Sequence, residues 1–376
     1  MLPVRILISA GEASGEMYGA QLIDALRRNG PSLEFFGVGG PGMRAAGCET
    51  VVDARDLSVV GITEILGHLP KIYGLFRKLI DEADRRRPDL AIVIDSPAFN
   101  WRVARAMKKR GVPVVYYVAP QFWAWRQGRV KLLRKYVSKA LVIFPFEEEF
   151  YRARGVEAEF VGHPLAELPS PTISRENYAA QQHLDAGKPW IALMPGSRRK
   201  EVAMNLPAIL ESVTLLGREF EFLLPLAPTL DRSFLDEKIA GHPITLVPDA
   251  LPALHHARAG IVASGTATVE AAMMSTPFVM VYRVSPLTYA LGKPRIKVPY
   301  FAMVNLIAGE KIVPELVQND FTAQKVVASL REILLDGPAR TRMLEGLTRV
   351  KQRLHSPDTR PAADRAAKSV LELLRP

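Results

Sequence analysis

The sequence has only one cysteine, Cys48, among 376 residues, so no disulfide can form within the chain. It also has no uninterrupted apolar run of about 18 residues, the length that a membrane-spanning helix needs. No region combines low hydrophobicity with high charge, as disordered segments do. These absences exclude a disulfide-stabilised secreted domain and an integral membrane protein, and they fit a folded chain in a reducing compartment.

The sequence also lacks the patterns that mark metal or nucleophile chemistry. No histidines have metal-ligand spacing, because His255 and His256 are adjacent and point in different directions on a helix. There is no Walker loop and no Ser-His-Asp signature. We interpret His163 as a turn histidine and Cys48 as a packing residue. We therefore expect no metal and no cofactor.

What the sequence has in excess is positive charge. It contains 49 Lys and Arg against 39 Asp and Glu, which gives a formal net charge of +10. This balance favours anionic partners such as phosphorylated substrates, anionic lipid or nucleic acid. A solvated basic surface without a partner explains the charge equally well.

Short runs rich in Val and Ile alternate with helical stretches along the chain, which indicates parallel sheets covered on both faces. The alternation stops between about 165 and 188, a polar stretch that we interpret as a linker, and then resumes. The pattern therefore predicts two α/β halves in tandem, followed by a helical tail from about 321 to 374. The predicted strands are 4–8, 90–94, 114–118 and 140–143, then 191–194, 220–224, 245–247, 260–263 and 278–281.

Ligands of open parallel sheets bind at the carboxyl ends of the strands, so the loops that follow strands are the candidate sites. Ser9-Ala-Gly-Glu-Ala-Ser-Gly-Glu16 suits a sugar hydroxyl better than a phosphate, although a tight strand-to-helix turn is the simpler explanation. Gly37-Val-Gly-Gly-Pro-Gly-Met43 is a second glycine-rich loop. In Asp95-Ser-Pro-Ala-Phe-Asn100, the carboxylate suits a general base and a helix cap equally well.

Two loops of the second half suit a nucleotide. Arg198, in Met194-Pro-Gly-Ser-Arg-Arg-Lys-Glu201, has the geometry to grip a diphosphate through two parallel hydrogen bonds. Ser264-Gly-Thr-Ala-Thr-Val-Glu270 opens a helix whose N-terminal N–H groups attract anions. Its glutamate, Glu270, is placed to accept hydrogen bonds from ribose hydroxyls.

A helical apolar stripe with basic neighbours lies between residues 62 and 87. Such a stripe either packs on its own sheet or lies in a membrane interface. We expect Pro70 to break the helix into two pieces. The stripe comprises Ile62, Ile65, Leu66, Leu69, Ile72, Tyr73, Phe76, Leu79 and Ile80.

Taken together, the motifs resemble those of the lipid-A-disaccharide synthase family over essentially the whole chain. Their order and spacing make the resemblance specific, although no single motif does. Besides the loops above, the matching motifs are Pro120-Gln-Phe-Trp-Ala-Trp-Arg126, Phe146-Glu147, Gly162-His163-Pro164 and Val304-Asn305-Leu306.

The resemblance implies an α/β fold of the GT-B type, with two Rossmann-like domains facing a cleft and C-terminal helices that cross back to the first domain. It implies an N-terminal acceptor- and membrane-facing domain (1–165), a C-terminal UDP-sugar-binding domain (166–345) and a helical tail packed on the N-terminal domain (346–376). Members of the family can exchange C-terminal segments, which would make this chain a homodimer.

The resemblance also implies the reaction. An inverting glycosyltransferase of this family transfers 2,3-diacylglucosamine from UDP-2,3-diacylglucosamine to the 6-hydroxyl of 2,3-diacylglucosamine 1-phosphate (lipid X). The products are UDP and the β-1,6-linked disaccharide 1-phosphate of lipid A biosynthesis, and no cofactor, metal or nucleic acid is expected. Such an enzyme would lie in the cytoplasm, peripheral on the inner face of the bacterial inner membrane.

By this resemblance Asp95 is the catalytic base, and the other candidates fall into three groups. Glu12, Ser14 and Asn100 bind the acceptor. Arg198, Ser264, Gly265, Thr266, Glu270 and Asn305 bind UDP. Leu66, Leu69, Ile72, Tyr73 and Phe76 face the membrane.

The sequence departs from the family pattern at Ala98, where members often have a second acidic residue in the Asp95 motif. If that residue were the base, the assignment of Asp95 would be wrong. Two other functions remain open: a UDP-N-acetylglucosamine 2-epimerase-like enzyme on the same fold, and a non-catalytic membrane-associated nucleotide-binding protein.

Overall fold

The computed structural model of the chain describes residues 3–11, 13–30, 32–58, 65–355, 358 and 360–374. The chain divides into two compact units. The first unit comprises Met1–Glu167 and Leu354–Pro376, and the second comprises Leu168–Arg353.

The first unit is built on a seven-stranded parallel sheet with the order β3-β2-β1-β4-β5-β6-β7. Its central strands are buried almost throughout, as expected for a sheet covered on both faces. Its strands are β1 (Val4–Ala10), β2 (Leu33–Gly39), β3 (Cys48–Asp53), β4 (Leu90–Ile94), β5 (Val114–Tyr117), β6 (Lys139–Val142) and β7 (Ala158–Phe160). The helices that precede the second unit are α1 (Ala13–Asn29), α2 (Pro41–Ala45), α3 (Arg55–Ser58), α4 (Ile65–Arg86), α5 (Pro97–Lys109), α6 (Val130–Tyr136) and α7 (Pro145–Arg152).

The second unit has a six-stranded parallel sheet with the order β10-β9-β8-β11-β12-β13. Its strands are β8 (Trp190–Met194), β9 (Glu221–Pro225), β10 (Ile244–Val247), β11 (Ala259–Ala263), β12 (Phe278–Tyr282) and β13 (Glu315–Val317). Its helices are α8 (Arg175–Gln182), α9 (Arg199–Leu216), α10 (Arg232–Ile239), α11 (Ala250–His256), α12 (Thr266–Met273), α13 (Pro286–Gly292), α14 (Met303–Ala308), α15 (Ala323–Leu334) and α16 (Pro338–Leu354). Two parallel sheets with covering helices confirm the predicted α/β fold class.

The polar stretch that we interpreted as a linker contains α8, so that interpretation was wrong in part. The hydroxyl of Ser174 caps the helix by accepting a hydrogen bond from the Asn177 N–H at 3.2 Å. Tyr178 is buried against Trp190, with ring centroids 6.1 Å apart, and the Arg175 guanidinium lies 3.7 Å from the centre of the same indole. Because few residues of α8 are buried, its sequence shows little apolar periodicity.

The last helix, α17 (Ala362–Leu374), packs against α1 in the first unit. The side chain of Arg365 is buried there, and its Nε donates to the Val161 carbonyl at 2.6 Å. The carboxylate of Glu167 accepts from the Ala362 N–H at 2.5 Å. Gly162 makes room for this arginine, because a Cβ at Gly162 would lie 2.1 Å from the Arg365 guanidinium. A single buried cation thus joins the tail to the segment that follows β7.

Helix α4 continues through Pro70, so our prediction that Pro70 breaks the amphipathic stretch was wrong. Pro70 lies in the second turn of the helix, where it removes one hydrogen bond at a cost of about 3 kcal/mol. Burial of Leu79, Ile80 and Ala83 further along the same helix offsets that cost. The second half of the stripe therefore packs on its own unit.

The first half of the stripe is less buried. Ile72 and Phe76 are half-buried, and the Phe76 ring packs edge-on against Phe99 with centroids 6.1 Å apart. Tyr73 is 61% exposed. The side chains of Leu66 and Leu69 lie outside the described residues. No helix in the described part of the chain is long and apolar enough to cross a membrane.

Candidate functional site

Each sheet reverses its strand order at one point, and the candidate loops lie at these reversals. In the first sheet the chain runs outward from β1 to β3 and returns with β4 on the other side of β1. In the second sheet it runs outward from β8 to β10 and returns with β11 beside β8. Open parallel sheets bind ligands outside the carboxyl ends of the strands at such a reversal. The loops that follow β1, β4, β8 and β11 carry most of the candidate residues.

Asp95 follows β4 directly, and its backbone is in the left-handed region. The φ angle is 48° at Asp95 and 46° at Ser96. Such conformations cost roughly 1–3 kcal/mol each and persist only where surrounding contacts enforce them. The strained turn places the Asp95 side chain at the carboxyl edge of the sheet.

Two side chains enforce this turn by donating to the Asp95 carbonyl oxygen. The Asn100 amide donates to it at 2.9 Å and the Tyr116 hydroxyl at 2.8 Å. No sequence pattern pointed to this role of Tyr116, because its hydroxyl reaches Asp95 only through the neighbouring strand β5.

Asn100, which we predicted to bind the acceptor, has a buried amide whose nitrogen and oxygen both have hydrogen-bond partners within the chain. Its nitrogen also donates to the carbonyls of Ile94 at 2.9 Å and Ser9 at 3.1 Å. Its oxygen accepts from the Ser9 hydroxyl at 2.7 Å. Asn100 therefore ties the ends of β1 and β4 together and positions Asp95.

The loop after β1 comes close to the Asp95 turn. A Cβ at Gly11 would lie 2.6 Å from the Ser96 hydroxyl, so only glycine allows this approach. At Gly15, in the first turn of α1, an added Cβ would lie 3.7 Å from the Asp95 Cβ. Its neighbour Ser14 is half-buried in the same turn, whereas Glu12 lies outside the described residues.

The second glycine-rich loop has a structural explanation. Gly37 belongs to β2 with φ of 148°, and a Cβ there would lie 2.0 Å from the Ile8 carbonyl oxygen. The Glu16 carboxylate accepts from the Met43 N–H at 2.8 Å, in α2. Glu16 therefore ties this loop to α1.

Glu147 is a buried carboxylate beside the loop that follows β5. It accepts from the Trp123 indole N–H at 2.7 Å and from the N–H groups of Phe144 and Ile143 at 3.0 and 3.2 Å. Burial nevertheless raises the pKa of Glu147 from its ordinary value of 4.5 to about 7. Glu147 thus fixes Trp123 while binding a proton near neutral pH.

We expect Glu147→Gln to flatten the pH dependence of stability. Folded Glu147 keeps its proton up to about pH 7, whereas the unfolded chain releases it near 4.5, so the free energy of unfolding falls as pH rises across this window. The fall should be up to about 3 kcal/mol in the wild type and absent from the variant. Urea titrations at pH 4.5, 6 and 7.5 measure it, with the exposed Glu149→Gln as control. Parallel profiles for wild type and Glu147→Gln would contradict the prediction.

Two further titratable groups, His163 and Cys48, are buried in the first unit. His163 accepts at Nδ1 from the Leu165 N–H at 3.0 Å, and burial lowers its pKa to about 3, so the ring is neutral. This agrees with a turn histidine. Burial raises the pKa of the Cys48 thiol to about 12, which keeps it protonated. Among the described residues, no three His, Cys, Asp or Glu side chains are grouped as metal ligands.

In the second unit, Arg198 follows β8 at the start of α9. Its side chain is 67% exposed, and its Nη1 donates to Glu201 at 3.1 Å. The other Glu201 oxygen accepts from the Ser197 N–H at 3.1 Å. The loop therefore presents an exposed guanidinium at the strand reversal, on a backbone that Glu201 holds in place.

The loop after β11 opens α12 at Thr266. Gly265 has φ of 138°, a conformation that glycine adopts easily, and the Ser264 hydroxyl donates to the Phe301 carbonyl at 2.8 Å. Thr266 is exposed, and Glu270 lies half-buried one turn further along α12. Burial raises the pKa of the Glu270 carboxyl.

Asn305, which we predicted to bind UDP, has a buried amide whose nitrogen and oxygen both have hydrogen-bond partners within the chain. Its nitrogen donates to the Val313 carbonyl at 3.0 Å and to Glu315 at 2.9 Å. Its oxygen accepts from the N–H groups of Ile312 and Val313 at 2.8 and 3.0 Å. Glu315 in turn accepts from the Ala302 N–H at 2.8 Å. Asn305 thus fixes the segment that Ser264 contacts.

Comparison with known proteins identifies relatives along nearly the whole chain. A family model described as lipid-A-disaccharide synthetase matches residues 6–370. The lipid-A-disaccharide synthase of Koribacter versatilis is 54% identical over 376 residues, covering 98% of both chains.

Solved structures at low sequence identity share the fold. The calicheamicin glycosyltransferase superposes with a TM-score of 0.63 at 17% identity, covering 100% of this chain and 99% of that one. The UDP-GlcNAc 2-epimerase of Neisseria meningitidis, solved with bound UDP-GlcNAc, gives 0.62 at 13% identity and covers 99% of each chain. The fold by itself therefore does not separate a transferase from an epimerase.

Proposed function

The chain belongs to the lipid-A-disaccharide synthase family, and from that premise we propose how its residues divide the transfer reaction. It is a glycosyltransferase of lipid A disaccharide synthesis, with UDP-2,3-diacylglucosamine as donor and 2,3-diacylglucosamine 1-phosphate as acceptor. One observation carries the residue assignment. Asp95 follows β4 and Arg198 follows β8, and each of these strands is one of the two between which its own sheet reverses its order.

In the proposal the second unit binds the donor through its UDP group. The Arg198 guanidinium takes the diphosphate, and the N–H groups at Gly265 and Thr266 add donors at the start of α12. Ser264 shapes this turn through its bond to the Phe301 carbonyl. Glu270 accepts from the ribose hydroxyls. Charge that develops on the leaving diphosphate is thus met by fixed donors.

The first unit presents the acceptor and the base. The Asp95 carboxylate removes the proton from the acceptor 6-hydroxyl while that oxygen bonds to the anomeric carbon of the donor. The bond between this carbon and the UDP oxygen breaks with inversion, and UDP leaves with the electron pair. Ser14 and Glu12 orient the acceptor sugar beside the Asp95 turn.

The decisive test is an assay of the purified chain with both acylated sugars. Release of UDP with equal formation of the disaccharide supports the proposal. An epimer formed from UDP-N-acetylglucosamine would instead support the 2-epimerase. Tight UDP binding without turnover would support a non-catalytic nucleotide-binding protein.

We expect Tyr116→Phe to lower kcat about tenfold with little change in the KM for the donor. The change removes one of two donors to the Asp95 carbonyl and so loosens the turn that aims the base. Tyr117→Phe is the matched control, because among the described residues the buried Tyr117 hydroxyl has no hydrogen-bond partner. Equal loss of kcat in both variants, or a loss confined to KM, would contradict the positioning role.

We also propose that the first half of α4 contacts the membrane from which the acylated substrates come. Tyr73 is exposed, Ile72 lies beside it, and the exposed Arg77 and Lys78 add positive charge. Lys71, also exposed, pairs with Asp56 at 2.9 Å. Apolar and cationic side chains in this arrangement suit an interface with anionic lipid. The proposal places the protein on the inner face of the inner membrane.

We expect Ile72→Glu with Tyr73→Glu to release the protein from anionic vesicles, lowering its vesicle partition about tenfold. Phe76 is left unchanged because it packs on Phe99. Co-sedimentation measures the effect, and Leu335→Glu, at a 76% exposed leucine elsewhere, is the control. Equal partition of the double variant and the wild type would rule out this contact.

Exchange of C-terminal segments between two chains would reproduce the α1–α17 contact in a homodimer. Light scattering of the purified protein distinguishes this from a monomer.

A further inference from the structure

A second apolar surface lies on the other unit, in the segment that follows β12. Helix α13 (Pro286–Gly292) is followed by a 3-10 turn, Lys293–Arg295, and the structure describes every residue of both. None of them is buried. Leu287 is 70% exposed and Leu291 58% exposed. These leucines are four residues apart and therefore share one face of the helix.

This arrangement is unusual for a short helix. Short helices in water generally depend on packing of an apolar face. Here the Ser285 hydroxyl caps the helix by accepting a hydrogen bond from the Thr288 N–H at 3.2 Å. No residue of the helix is buried, and both leucines are exposed. Single exposed leucines are ordinary, whereas two exposed leucines on one face of a helix form an apolar surface that suits a contact.

The charged residues near the leucines in the sequence all have one sign. Residues 271–309 contain four Lys and Arg and no Asp or Glu, a net charge of +4. One of the four, Arg283, is used internally, because it donates to the Phe321 carbonyl and lies 4.8 Å from the centre of that ring. The other three, Lys293, Arg295 and Lys297, are exposed just after the leucines.

We propose that the 286–297 segment is a second membrane contact, which inserts Leu287 and Leu291 into the interface of anionic lipid. Exposed leucines followed closely by three cations match the two components of such a surface, apolar area and attraction to acidic headgroups. The cations complement lipid phosphates, and the segment offers no carboxylate that would repel them. This contact is separate from the one proposed for α4 and does not rest on the transfer activity.

The test is co-sedimentation without substrate, using vesicles of phosphatidylcholine with about 30% phosphatidylglycerol. Leu287→Glu with Leu291→Glu should lower the vesicle partition roughly tenfold. The matched control is Leu215→Glu with Leu335→Glu, which adds the same charge at exposed leucines of the same unit and should change partition less than about twofold. Measuring both double variants again in the Ile72→Glu/Tyr73→Glu background separates the effect of this contact from the effect of the α4 contact.

A further variant tests the charge. Replacing Lys293, Arg295 and Lys297 by Ser should remove most of the preference for anionic over neutral vesicles. The proposal would be overturned if Leu287→Glu/Leu291→Glu and the control lowered the vesicle partition equally. It would also be overturned if Leu287→Glu/Leu291→Glu left the partition unchanged in both the wild-type and the Ile72→Glu/Tyr73→Glu backgrounds. Unchanged partition with a raised KM for the acylated donor in detergent would overturn it as well, because the segment would then hold substrate. None of these outcomes bears on whether the chain transfers sugar.

Discussion

Asp95→Asn should lower kcat about 10³-fold while leaving UDP affinity within about twofold. Asparagine has nearly the same shape and tolerates the left-handed backbone that Asp95 adopts, with φ of 48°. The change therefore removes the proton acceptor and preserves the turn. Because position 98 is alanine, Asp95 carries the only carboxylate of the 95–100 motif. Single-turnover transfer and calorimetric titration with UDP measure the two quantities.

A second variant, Ser96→Gly, distinguishes loss of the proton acceptor from relaxation of the strained backbone. Ser96→Gly relaxes the second left-handed residue and keeps the carboxylate, so it should cost far less than Asp95→Asn. Near-wild-type kcat in Asp95→Asn would remove Asp95 as the base. Loss of UDP binding in that variant would show that Asp95 contributes to the nucleotide site instead.

Arg198→Ala should lower kcat/KM for the donor by about 10²- to 10³-fold. The guanidinium is proposed to bind the diphosphate more strongly as charge develops on it, so kcat should fall together with UDP affinity. Arg198→Lys should recover only part of the loss, because an ammonium cannot make two parallel hydrogen bonds. Because the side chain is 67% exposed, the variants should fold as the wild type does.

The neighbouring arginine supplies the control. Arg199 pairs with Asp231 and lies 4.9 Å from the centre of the Phe234 ring, so Arg199→Ala changes the same local charge at a different contact. It should leave kcat/KM within about threefold. Similar losses at both positions would mean that the basic loop acts through general electrostatics, and that Arg198 makes no specific diphosphate contact.

The sequence predicted much of the fold because buried parallel strands read as continuous apolar runs. Strands β4, β8 and β11 lie close to where that pattern placed them. Strands β2, β3, β7 and β13 were missed, β2 because Gly37 and Gly39 made its end resemble a loop. Helix α8 was missed because its polar sequence buries little apart from Tyr178 and Ala179.

Most of the predicted site residues lie where strand order reverses, but only the tertiary structure shows where their side chains point. Asn100 and Asn305 carry residue types suited to ligands, yet both amides bond backbone and side-chain groups that meet them only in the folded chain. Tyr116 and Glu147 had no local signal for their roles, because each acts on a different segment of the chain. The catalytic and UDP assignments of the remaining residues stay predictions.

By itself, the sequence determined the family and the α/β class, because apolar periodicity and motif order are local properties of the chain. Only the tertiary structure decided that Asp95 sits in a strained turn held by side chains from α5 and β5, that α4 runs through Pro70, and that α13 leaves its leucines exposed. Those features depend on which groups meet across the fold. Hydrogen bonds and burial between distant segments leave no periodic trace in the segments themselves.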